Sequence, residues 1–138
     1  MPVIRRGEPG DLAQIDAIQG ACPEAPSWPP ADYLKYDLLV AVCQTRLAGF
    51  LAYRTLVEGE REILNLAVAP EFRRKGIARQ LWTVFLERFR GSVFLEVRES
   101  NQAALSLYVS LGFQGLGRRL GYYESPPEPA IVMKFHSC

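Results

Sequence analysis

The sequence predicts one α/β domain covering residues 1–138, with a mixed, mostly antiparallel central sheet and helices on its faces. Three observations lead there. A length of 138 residues suits one domain with a buried core. Short apolar runs separated by turn residues fill the first half of the chain. From "EILNLAV" onward the pattern becomes strand, helix, strand, helix, strand, an alternation that lays helices on a sheet.

"PVIRR" reads as a short strand, and Pro9 followed by Leu12, Ile15 and Ile18 has the spacing of a helix ending near Gly20. "CPEAPSWPP" has too many prolines for a helix or central strand and reads as an irregular loop leading to "ADYLKY". "LLVAVC", the turn "QTR" and "LAGFLAYRTL" form a hairpin, and "EILNLAV" follows "VEGER" as a further antiparallel strand. After "APEF" the period changes. Ile77, Leu81, Phe85 and Phe89, joined by Ala78, Trp82 and Val84, make a broad apolar helical face ending before Gly91. "SVFLEV" is a strand, and "NQAALSLYVSLGF" is a helix with Gly112 near its C-cap. "FQGLGR" is a strand, "LGYYESPPEP" a loop and "AIVMKF" the final strand.

Sixteen basic residues face fifteen acidic ones, for a net charge of +1, so the chain as a whole makes no electrostatic case for a nucleic acid or an acidic membrane. Any anion site is local. Cys22, Cys43 and Cys138 form neither a CxxC pair nor a zinc-like spacing with the lone His136, which predicts no metal and a reducing, cytoplasmic setting. "MPVIRRGEPGD" opens without a long apolar stretch, and no run approaches the ~20 residues needed to span a bilayer.

The strongest local signal is "FRRKGIARQLW", residues 72–82. Arg73, Arg74 and Lys75 precede Gly76, Ile77 and Ala78 at a helix start. Unpaired N–H groups and the positive end of the helix dipole bind phosphate oxygens there, and the basic side chains screen their charge. Gly76 permits close approach or an unusual backbone angle, and Ala78 adds little bulk. The expected ligand is a phosphate or pyrophosphate; a solvated basic turn before a core helix is the plainer alternative. A Walker A loop would need a longer glycine-rich run ending in Gly-Lys-Ser/Thr, and a dinucleotide fingerprint a fuller glycine pattern.

Glu96 is the sole charge from Ser92 to Val97. A carboxylate flanked by apolar strand residues suits a general base, and equally suits a strand-end group paired with Arg98 or facing water. Asn101 and Tyr108 are seven residues apart in the next helix, about one face repeat, so a ligand lying along it would meet both. Tyr108 can donate a proton or serve as a core residue with one polar tip; Asn101 also suits the helix N-cap.

Taken together, "LNLAVAPEFRRKGIARQL", "LEVRESNQAALSLYVSLGF" and the later "YY" resemble the GNAT superfamily of acetyl-CoA-dependent N-acetyltransferases, within it the ribosomal-protein-alanine enzymes. The superfamily pattern Gln/Arg-x-x-Gly-x-Gly/Ala falls on Arg73, Gly76 and Ala78. The resemblance implies the GNAT fold, with a splayed strand pair in the sheet. It implies that the backbone of Leu66, Ala67 and Val68 holds pantetheine and that Arg74 to Arg79, through Lys75, Gly76, Ile77 and Ala78, surround the pyrophosphate. It further implies that Asn101 contacts the pantetheine arm, that Glu96 is the base, directly or through water, and that Tyr108 protonates the departing thiolate.

The implied reaction is direct transfer of acetyl from acetyl-CoA to a primary amine, foremost a protein N-terminal α-amine, a ribosomal protein among the candidates. A small amine or lysine acceptor, and a non-catalytic CoA-binding module, are the alternatives. "EAPSWPPADY" and "LGYYES" are the expected substrate-side loops, with Trp28, Tyr33, Tyr122 and Tyr123 as rigid walls and Glu24 or Glu124 attracting a cationic terminus.

Overall fold

The computed structural model describes residues 2–23, 27–124 and 127–137, with the side chains of 121–124, 127 and 137 outside the description. Its backbone divides into two compact units, residues 1–54 with 63–89, and residues 55–62 with 90–138. Among the described residues seven strands are hydrogen-bonded in the order β1-β2-β3-β4-β5-β7-β6.

The first unit opens with β1 (Val3–Arg6), antiparallel to β2 (Asp37–Cys43), which pairs antiparallel with β3 (Arg46–Val57). β2 and the inner part of β3 are apolar at nearly every position because they are covered on both faces. The predicted "QTR" turn is present, with Gln44 at φ 58°. α1 (Leu12–Gly20) is anchored by Asp11, which accepts two bonds from the Arg5 guanidinium, both 2.9 Å, and one from the Glu8 N–H at 2.8 Å. The Arg5 bonds, more than burial opposes, hold the Asp11 carboxyl below its ordinary range.

A bulge between Ala41 and Val42 leaves Ala48 of β3 without a β2 partner, so its carbonyl is open to accept from the Ala69 N–H at 2.8 Å. Beside it, Gly49 meets the end of β4 (Glu60–Val68): a Cβ there would lie 2.7 Å from the Ala67 carbonyl oxygen and 3.2 Å from Ile77 Cγ2. Ile77 begins α2 (Ile77–Glu87), which buries Ile77, Leu81, Trp82 and Phe85, with Trp82 and Phe85 stacked at 5.3 Å. The helix stops at Glu87, so the predicted fourth apolar position, Phe89, lies beyond it and instead packs its ring on Phe85 at 5.7 Å.

In the second unit the tip of β4 runs parallel to β5 (Gly91–Arg98) over three rungs, Glu60↔Ser92 to Glu62↔Phe94. β5 then pairs antiparallel with β7 (Pro127–Ser137), and β7 with β6 (Gln114–Glu124). Both strands reach into the predicted loop "LGYYESPPEP". Pro127 and Pro129 are tolerated because Pro127 pairs only with Glu124 at the strand start, and Pro129 contributes its carbonyl, accepting from the Glu99 N–H at 3.2 Å, while Ser125 and Pro126 lie outside the described residues.

α3 (Gln102–Ser110) ends as its glycine predicts: Gly112 takes φ 103° and the Phe113 N–H reaches back to the Tyr108 carbonyl at 3.0 Å, a Schellman closure with the two rings 5.6 Å apart. Val93, Leu95, Tyr108, Leu111, Phe113 and Met133 form this unit's core.

The Asp11 anchor has a defined pH dependence. A carboxyl depressed in the fold contributes stability that is present above its unfolded pKa and is lost as pH falls through the folded one. Asp11→Asn should therefore cost about 1–3 kcal/mol near pH 7 in denaturant titrations. The gap to the parent protein should close progressively as pH falls below the ordinary aspartate value of about 3.9, and a gap that stays constant would remove the carboxylate from the anchor.

Candidate active site

In the first unit β4 alternates, with Ile63, Asn65 and Ala67 buried on one face and Leu64, Leu66 and Val68 half-buried on the other. The chain then turns through a 3-10 turn, Pro70–Phe72, and enters "RRKG" with Arg74 at φ 64° and Gly76 at φ 77°. At Gly76 nothing but Gln80 Nε2, at 3.9 Å, approaches a hypothetical Cβ, so the left-handed backbone and not crowding is what calls for glycine.

Gly76 is the N-cap of α2 and offers no side-chain cap, and the first turn has no acidic residue. The helix bond from the Gln80 N–H to the Gly76 carbonyl, 3.0 Å, leaves the preceding N–H groups of Ile77 and Ala78 ahead of the helical ladder. Arg74, Lys75 and Arg79 are exposed around this end. An uncapped, acid-free helix start ringed by cations suits a pyrophosphate.

Arg73 is placed differently. It donates through Nε to the Val68 carbonyl at 3.4 Å and through Nη2 to Cys22 Sγ at 3.1 Å, tying the end of β4 to the chain after α1. Behind β4 lies a buried polar network absent from the sequence reading. Asn65 Nδ2 donates to the Tyr33 hydroxyl at 3.1 Å, and that hydroxyl donates to Gln19 Oε1. The Gln19 amide also brackets the Trp28 peptide, donating to its carbonyl at 3.0 Å and accepting its N–H at 2.9 Å.

Tyr33 is 0% exposed, and burial pushes its phenol above its ordinary value. The structure thus sets it in the core, with its ring 5.3 Å from that of the half-buried Trp28, and gives it no wall facing solvent. An isolated Asn in "LNLAV" was the available sign of the network.

In the second unit Glu96 lies on β5 between the buried Leu95 and Val97, its side chain 14% exposed. Its Oε1 pairs with Arg119 of β6 at 3.1 Å, and among the described residues its buried Oε2 has no hydrogen-bond partner. The sequence neighbour Arg98 pairs instead with Glu128 at 3.1 Å. Ser100, foremost, and Arg98 hold the Glu128 carboxyl below its ordinary range.

Asn101 caps α3, accepting from the Ala104 N–H at 3.1 Å, and Tyr108 is buried on the same helix. Tyr122 and Tyr123 fall in the β6 backbone, but their side chains and that of Glu124 lie outside the described residues, as does Glu24. Among the described residues no three metal-ligating side chains gather, and no helix is long and apolar enough to cross a membrane.

Residues 12–113 match the family described as the acetyltransferase (GNAT) family. The [ribosomal protein bS18]-alanine N-acetyltransferase of Salmonella typhimurium is 39% identical over 105 residues, 72% of this chain and 70% of the relative. The N-alpha-acetyltransferase RimI of Mycobacterium tuberculosis is 42% identical over 76 residues, 54% of this chain and 48% of the relative. The crystal structure of the ribosomal-protein-S18-alanine N-acetyltransferase from Escherichia coli superimposes with a TM-score of 0.83 at 28% identity, covering 99% of this chain and 94% of the other.

The left-handed angle at Gly76 makes the cradle testable. A β-branched side chain there costs about 1–2 kcal/mol of backbone strain at the helix start. Gly76→Val should weaken acetyl-CoA binding about tenfold or more by calorimetry while Gly10→Ala, in open space at an exposed turn, leaves it unchanged. Equal affinity in both variants would take Gly76 out of the site.

Proposed function

The chain belongs to the GNAT acetyltransferase family, an acetyl-CoA-dependent N-acetyltransferase, and from that premise we propose that it acetylates the N-terminal α-amine of a protein, a ribosomal protein foremost. The observation that supports this acceptor is the 39% identity over most of the chain to an enzyme named for the alanine terminus of a ribosomal protein. We treat residues 1–138 as one catalytic domain. Cys22 and Cys43 carry free thiols, which suits the reducing, cytoplasmic setting proposed for it.

Acetyl-CoA supplies the activated acyl group, and the chain's own residues bind and orient it. Arg73, Arg74, Lys75, Gly76, Ile77, Ala78 and Arg79 are assigned to the pyrophosphate, with Arg73 also bracing the strand end through the Val68 carbonyl. The backbone of Leu66, Ala67 and Val68 is assigned to the pantetheine arm, with Asn101 as a further contact. A backbone N–H near Val68 polarises the thioester carbonyl.

The acceptor sets what the base must do. With an unperturbed α-amino pKa near 7.8, roughly one terminal amine in seven is neutral at pH 7, whereas for lysine the fraction is about one in 2,500. A pre-aligned α-amine therefore needs only modest help. Glu96 takes its proton, directly or through water, and Tyr108 delivers one to the thiolate as the C–S bond breaks. Trp28 lines the acceptor side with Tyr33 supporting it from the core, and Tyr122 and Tyr123 are assigned to the same side.

Time-resolved CoA release with a panel of acceptors tests this reading: Ala-starting ribosomal-type peptides, blocked-terminus lysine peptides and small amines, with mass determination locating the acetyl group. Acetyl on the α-amine is expected. Transfer to lysine or small amines alone would reject the acceptor, and tight acetyl-CoA binding with no transfer to any of them would make the chain a binding module.

The roles are separable by kinetics. Glu96→Gln should lower kcat about a hundredfold while leaving acetyl-CoA affinity within about threefold, since it removes a group used in the chemical step. Parallel losses in affinity and turnover would contradict the assignment.

A further inference from the structure

Glu96 sits on β5 in a row of charged side chains whose pairing follows strand register. Glu96 and Gly117 both lie opposite Val132 of β7, and one step along, Arg98 and Arg119 both lie opposite Ala130. From Arg119 to Tyr123 β6 advances four residues while β7 advances two, from Ala130 to Glu128, so Arg119 is the last regular position before an irregularity in the strand.

The neighbouring guanidinium groups are engaged elsewhere. Arg98 meets Glu128 at 3.1 Å, and Arg118 donates to Glu99 at 3.0 Å. Arg119, 57% exposed, reaches instead onto the largely buried Glu96 and binds Oε1 at 3.1 Å. A pair with one partner this exposed adds little to stability. Leaving Oε2 buried without a partner among the described residues costs stability, because a desolvated carboxylate oxygen has lost its water. Among the described residues the carboxylate is thus fixed at one oxygen and unsatisfied at the other. An amine N–H, or a water carrying its proton, would relieve that deficit.

We propose that Arg119 is a positioning residue for the reaction: its guanidinium clamps Oε1 of Glu96 and so makes Oε2 the oxygen that receives the acceptor's proton. The proposal rests on the reading of Glu96 as general base. As the amine nitrogen bonds to the acetyl carbon and the C–S bond breaks, the proton leaving nitrogen goes to Oε2, and the sulfur is neutralised by the proton from Tyr108. Arg119 itself exchanges no proton. Its contribution is to remove rotation about the last bond of the Glu96 side chain, keeping one oxygen in line.

The test uses the full chain and four variants, R119A, R119K, E96Q and E96Q/R119A, with steady-state kinetics in acetyl-CoA and peptide and thermal unfolding as a control for folding. R119A should lower kcat about tenfold with the acetyl-CoA KM unchanged, R119K should recover part of it, and millimolar ethylguanidinium should restore R119A towards the parent rate. The double variant should be no slower than E96Q alone, because both changes act through one carboxylate. Should R119A fail to fold, R119Q replaces it.

Multiplied losses in the double variant, or an unchanged kcat in R119A, would overturn the proposal while leaving the base in place. A faster R119A would also overturn it, by showing the pair to be a latch on Glu96. Normal turnover in E96Q is a separate result that removes the general base, and the positioning role with it.

Discussion

The first unit depends on a single close approach: β3 runs so near the end of β4 that only a residue without a side chain fits at Gly49. With a Cβ excluded by the Ala67 carbonyl at 2.7 Å, the two strands can close up, and the Ala69 N–H can reach the Ala48 carbonyl left open by the β2 bulge. The same vacancy admits Ile77, the first residue of α2. The end of the strand and the start of the helix are therefore set against one backbone atom group. A helix N-terminus binds anions only as well as it is aimed, so this contact is what gives "RRKG" a defined place relative to Leu66, Ala67 and Val68.

Two kinds of bracing hold the neighbouring pieces. On the buried side of β4 the amides of Asn65 and Gln19 and the Tyr33 hydroxyl form a directional chain of donors that ends on both polar atoms of the Trp28 peptide. A fully bonded buried network of this kind rigidifies a segment that prolines alone would leave without secondary structure. On the other side Arg73 holds the Val68 carbonyl and the Cys22 sulfur. In the second unit ion pairs join different segments, each carboxylate meeting its own guanidinium.

What the sequence revealed depended on whether the cause was local. Most of the strands, the three α-helices, the Gly112 ending and the Gly76 start were legible, because period and φ preference are written within a few residues. Partners were not. Arg98 is two residues from Glu96 and the obvious candidate, yet Arg119 is the one that reaches it, through a register set by β7 and an irregularity in β6 that no local pattern encodes. Tyr33 in a proline-rich stretch suggested a surface wall; a 3-10 turn at Pro30–Lys35 carries it into the core, where two amides some 14 and 32 residues away meet its hydroxyl. The prolines of "SPPEP" suggested a loop because a proline's missing N–H matters only if a partner needs it, and that is decided by the neighbouring strand.

The order of strands in the second unit also bears on how the chain is made. β7 lies between β5 and β6 although it is synthesised after both. Until β7 leaves the ribosome, β5 lacks its antiparallel neighbour and β6 its pairing partner, so Val93, Leu95 and Met133 assemble their core only once β7 has been made. The first unit's hairpin, by contrast, closes across a turn of a few residues and can form early. Completion of the half that carries Glu96 and Tyr108 thus waits for the last-made of its strands, and a nascent chain interrupted before β7 would display an apolar strand with an open edge.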